Sequence, residues 1–149
     1  MIQRFARLKR SRVRRSDKAQ SRHDMTVELD GLVRSLVLAR DKHACVKCGA
    51  GGPNVVLQAS HILSKGPASR IRFDTHNVLT MCLRCHIYWW HKEPTAAYEW
   101  LEQKYPGRLA ELRIMAATAP RVDMPMLLLC LRQEVLRLES SSPSPTTHP

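Results

Sequence analysis

An α+β fold is expected, with a small finger of two short strands and a helix, closed by two cysteine knuckles and flanked by helices. Three observations point to it. Two C-x-x-C pairs, Cys45/Cys48 and Cys82/Cys85, stand 33 residues apart, which leaves room for a folded insert between them. Within that insert, residues 55–60 and 78–81 read as short strands separated by a polar loop. Outside it, apolar residues recur at helical spacing on both sides.

Taken in order, residues 1–23 carry nine basic side chains against Asp17, out of a formal net charge of +11. They are expected to form a disordered arm with the electrostatic footprint of a polyanion partner. The alternative for such an arm is a solvated tail that only maintains solubility. Its Arg-rich, acid-poor character also matches an organellar transit peptide, but it lacks clear amphipathicity. Residues 26–40 predict a helix, because Leu29, Leu32, Val33, Leu36 and Val37 share one face of a 3.6-residue period. Residues 49–54, G-A-G-G-P-N, are turn chemistry. Ser60 and His61 end the first strand, and the loop 62–76 carries Lys65, Arg70, Arg72 and an anchoring Phe73. The second knuckle continues into a helix through Trp90.

Pro94 opens a further helix to about Tyr105, with Ala97, Trp100 and Leu101 inward. A short helix follows around Leu109, Leu112 and Met115. Asp123 is the expected N-cap of a last helix whose stripe is Met124, Leu127, Leu128, Leu131, Val135 and Leu138. Residues 140–149, rich in Ser, Pro and Thr, are expected to be a disordered tail. The organisation is therefore an arm (1–23), one domain (24–139, with its finger at 45–92) and a tail.

Four of the five cysteines sit in the C-x-x-C pairs, which favours metal over disulfides and a reducing, cytoplasmic setting. Two such turns can bring four thiolates onto one zinc ion. The alternatives are buried thiols without metal or a redox pair, and no βαβ context supports the latter. Cys130 lies alone in an apolar helix and reads as a core residue. No apolar run approaches the roughly 18 residues of a membrane span.

Singly, each histidine has an ordinary reading: His61 as a surface or core residue, His86 as a spare zinc ligand, His91 as a helix cap. Asn77 alone would serve a turn. Their joint order is more informative. Residues 45–91, and the run R-F-D-T-H-N-V-L-T-M-C-L-R-C-H-I-Y-W-W-H-K-E-P at 72–94 in particular, resemble the HNH endonuclease family. These are the ββα-metal (His-Me) finger nucleases, here in the zinc-bracketed form of phage and bacterial members, including the phage recombination-endonuclease branch. The resemblance covers about a third of the chain.

The resemblance implies a metal-dependent DNA endonuclease. His61 would be the general base, its other ring nitrogen held by a backbone carbonyl, and Asn77 would pin the loop carrying it. His86, His91 and the residue before the base would hold one catalytic divalent cation, magnesium or manganese for example. Lys65, Arg70 and Arg72 would contact DNA phosphates. Two departures stand out. Ser60 occupies a position usually held by His or Asp, so the cation would bind loosely or recruit a carboxylate such as Asp74. His86 and His91 are five residues apart rather than four; five residues of α-helix turn through about 500°, so the two would share a face only where the helix ends or bulges. The competing readings are a catalytically inactive, zinc-stabilised nucleic-acid-binding protein and a zinc module for protein interaction. The sequence is compatible with a monomer or a homodimer.

Overall fold

The computed structural model describes residues 9–66 and 68–141, with side chains from residue 21 onward. Within these bounds the fold is α+β. Helix α1 (Lys9–Arg40) leads to strand β1 (Leu57–His61), two short 3-10 turns (Ser69–Ile71 and Thr75–Asn77) and strand β2 (Val78–Cys82). A π-helix (Arg84–Trp90) and helices α2 (Pro94–Lys104), α3 (Arg108–Thr118) and α4 (Met124–Ser141) complete it. The two strands pair antiparallel, from Leu57 opposite Cys82 to His61 opposite Val78.

Strand β2 is buried along its whole length and separates two apolar clusters. Side-chain alternation sends Val78 toward α1, Phe73 and Leu131 of α4, and sends Leu79 and Met81 toward the π-helix, α2 and α3. Thr80, fully buried, donates its hydroxyl to Val37 O of α1. The expected stripe of α1 is the buried one: Leu29, Val33, Leu36 and Val37 all lie in the cluster shared with α4.

The end of α1 fixes the first knuckle. His43 N–H reaches back to Leu38 O, and Lys42 and His43 both take the left-handed conformation, a helix-ending turn that returns the chain sharply. Asp41 then accepts Thr80 N–H, and Arg40 donates to Thr75 O and Val78 O, so the helix terminus is tied to β2. Gly51 pairs with Ala44 across the knuckle, where an added Cβ would lie 2.8 Å from His43 O; only glycine allows that approach.

Three expectations need correction. Residues 9–23 belong to helix α1 rather than to a disordered arm; residues 1–8 lie outside the described residues, as do residues 142–149 of the expected tail. No Gly or Pro interrupts residues 9–30, and once Leu29–Val37 is packed, each added helical residue costs no new nucleation. Cys130 is exposed rather than core, because it falls outside the stripe that buries Leu131. Leu138, assigned to that stripe, is 40% exposed. Asp123 does cap α4, accepting Met126 N–H.

Candidate metal centre and histidine cleft

The four paired cysteines converge. Their Sγ atoms all lie within 4.8 Å of one another. Four sulfurs at about 2.3 Å from a central ion sit at tetrahedron corners about 3.8 Å apart. Cys48 Sγ and Cys82 Sγ are 3.8 Å apart. The site can therefore hold a metal such as zinc, and Cys85 N–H turned toward Cys82 Sγ at 3.5 Å would support the ligand sulfur. Burial pushes the Cys45 thiol up, but surrounding backbone groups of Cys82, Cys48 and Lys47 more than reverse this and hold it at about 7. Burial and the neighbouring thiols push Cys85 up. A cation at the centre would remove that mutual repulsion.

The histidines gather on the other side of the π-helix. Its hydrogen bonds run from i to i+5, so residues five apart, not four, come into line. His91 N–H meets His86 O at 3.3 Å, and the two Nε2 atoms face each other at 3.0 Å. The winding follows from the aromatic side chains. Trp90, at the four-apart position, is buried edge-on against Tyr98, and Trp89 packs edge-on against Trp100. One extra residue per turn lets both indoles keep those contacts while His91 returns to His86. Two nitrogens about 2.1 Å from one ion, in adjacent octahedral positions, would be about 3.0 Å apart. The same spacing is that of the Nε2–H···Nε2 hydrogen bond that joins the two rings. Gln58 Oε1 accepts His86 Nδ1–H at 2.6 Å, which leaves His86 Nε2 as the unprotonated nitrogen, accepting a hydrogen bond from His91 Nε2–H.

His61 ends β1 with its Nε2–H donated to Arg72 O at 2.8 Å. This fixes the tautomer and leaves Nδ1 able to accept a proton. Burial lowers the imidazole below its ordinary value and outweighs the Arg72 carbonyl, which raises it. Asn77, fully buried, braces the loop behind it. Its Oδ1 accepts Leu63 N–H, its Nδ2 donates to Leu63 O and Ile71 O, and its backbone carbonyl accepts Ile62 N–H.

His61 and His86 line one cleft of about 360 Å³, together with Asp30, Arg34, Gln58 and Lys65. Burial also lowers His86, followed by the charges of His91 and His61. Ser60 is not in the lining. It is 1% exposed and its Oγ has no hydrogen-bond partner, so no bond joins it to either histidine. Asp74 is not drawn in either; its carboxylate caps the Thr75–Asn77 turn through His76 N–H.

The three expected phosphate contacts line a second groove of about 540 Å³, joined there by Arg22 and Arg121. Lys65, shared with the histidine cleft, and Arg72 both pair with Asp30 of α1, at 3.0 and 2.7 Å. Burial would raise the Asp30 carboxyl, but the two cations hold it below its ordinary value. Arg70 donates to Ala117 O and Ala119 O at the end of α3. Asp30 and Gln58 went unread in the sequence. Their partners lie 42 and 28 residues away, with no spacing signal to announce them.

Compared with known protein families, curated proteins and solved structures, the chain has no significant match.

Proposed function

We propose that the chain is a metal-dependent DNA endonuclease of the HNH type, built on a ββα-metal finger whose four cysteines hold a structural zinc. One observation carries the reading: an imidazole with a fixed tautomer, His61, lines the same cleft as His86, whose Nε2 faces that of His91. The basic groove beside the cleft, and the charge of +11, support a polyanionic substrate.

In this reading His61 Nδ1 takes a proton from water, and the resulting hydroxide attacks the scissile phosphorus. The Arg72 carbonyl stabilises the imidazolium formed, through Nε2–H. Asn77 keeps the loop bearing Arg72 O registered against the end of β1, so the base does not swing out of the cleft. Lys65 and Arg72 exchange Asp30 for phosphate oxygens as the backbone enters. A divalent cation held by His86 and His91 would supply positive charge for the leaving 3′ oxygen. The product is a break bearing a 5′-phosphate.

A second reading has one observation in its favour. Ser60 is buried outside the lining of the histidine cleft and its hydroxyl has no partner, which suits an inactive nucleic-acid-binding protein. Supercoiled plasmid separates the two. The nuclease reading expects nicked circles in magnesium or manganese and none with His61→Ala; binding without nicking in every cation favours the inactive protein.

A further inference from the structure

The π-helix has a second open side. There a cleft of about 480 Å³ is lined by Lys47, Arg84, Tyr88 and Trp89, with Cys48, Cys82 and Cys85 completing it. Tyr88 is 62% exposed, an unusual place for a large ring in a chain with only eight aromatic rings of Phe, Trp and Tyr. Trp89 is fixed by its edge-on contact with Trp100, which in turn meets Tyr105 edge-on. Three cations surround these rings. Lys47 Nζ stands 4.5 Å above the Trp89 ring, Lys92 Nζ lies 5.3 Å from Tyr88, and Arg84 completes the set; no carboxylate lines the cleft.

We infer that this cleft stacks an unpaired nucleobase of the nucleic acid, with Tyr88 as the platform and Lys47, Arg84 and Lys92 beside the flanking phosphates. The inference takes its ligand class from the proposed function and adds that the substrate carries single-stranded character near the cut. A flat exposed ring, held beside a rigid indole and ringed by positive charge, matches both faces of a nucleotide: aromatic base and anionic backbone. A base inside a duplex already stacks on its neighbours and offers no free face. The same seven-residue helix carries His86 into the histidine cleft, so a base held here belongs to a strand passing close to that site. The alternative for the cations is that they only balance the charge of thiolates on a metal.

The test uses zinc-loaded full-length protein without added magnesium or manganese, so that nothing is cut. Fluorescence anisotropy compares a 12-nucleotide oligo(dT), an abasic strand of the same length and a 12-base-pair duplex. Tyr88→Ala is expected to weaken oligo(dT) binding by about tenfold, with Tyr88→Phe restoring it, while the abasic strand and the duplex change by less than about twofold. Tryptophan emission of the unaltered protein, to which Trp89 contributes, should be quenched by oligo(dT) and not by the abasic strand. Equal binding of oligo(dT) by the parent and Tyr88→Ala, or equal weakening of all three ligands, overturns the proposal. So does absence of base-dependent quenching. Because cutting is not measured, a protein that stacks bases but never nicks defeats the nuclease reading alone, and one that nicks without stacking defeats this inference alone.

Discussion

His86 and His91 stand five residues apart and still face each other, Nε2 to Nε2, at 3.0 Å. On an α-helix the same spacing would put them on different faces. The π-winding that aligns them is held by Trp89 and Trp90, so the histidine pair depends on the aromatic core beneath it.

Gln58 fixes the tautomer of His86, and under the proposed function its loss should be felt at the cation. Gln58→Ala is expected to raise the manganese concentration for half-maximal nicking by about 10–100-fold, with the maximal rate less affected. His91→Ala should raise it further. A manganese titration of plasmid nicking checks both. Unchanged half-points would remove this pair from cation binding.

The pH profile follows from His61. The base must be neutral to take a proton, and burial lowers its pKa from the ordinary 6.5. Neutral imidazole is therefore retained as pH falls to that value and is lost only below it. Single-turnover nicking at saturating manganese should have its acidic midpoint below pH 6.5. A midpoint above that value would contradict the placement of His61 as a buried base.

Asn77 is a structural brace as much as a functional one. Asn77→Ala leaves Leu63 N–H, Leu63 O and Ile71 O without their partner inside the fold. The expected cost is about 3 kcal/mol in urea unfolding, together with a loss of nicking as the His61 loop loosens. A variant with full stability and full activity would show that the loop holds itself.

How much of this was legible in the sequence varies with the range of the interaction. The cysteine pairs and the stripe of α1 are local patterns, and both appear as read. The helicity of residues 9–23 was missed because apolar periodicity reports packing, while helix extension needs only the absence of breakers. The five-residue histidine spacing reads as two different faces unless the helix ends or bulges, and which of these holds is set by indole packing against α2, which no local pattern records. Asp30 lies one residue from the stripe residue Leu29, and nothing nearby shows that it meets Lys65 and Arg72. Cys130 was misread because it neighbours leucines without sharing their face.

Metal removal tests the finger. The four thiols converge from two knuckles, so metal binding and folding of residues 45–91 should be one event. Atomic emission is expected to find one zinc per chain. A strong chelator, or Cys48→Ser with Cys85→Ser, should abolish thermal cooperativity of the finger. Retention of a cooperative transition without metal would mean that the apolar cluster suffices.

The most direct measurement separates holding from cutting at His61. His61→Ala should bind manganese and a short DNA duplex within about twofold of the parent, because neither His86, His91 nor the basic groove is altered, yet nick supercoiled plasmid slower by about 100-fold or more. A His61→Ala protein that nicks at the parent rate would contradict the central claim that this imidazole and the His86–His91 pair act on one phosphodiester.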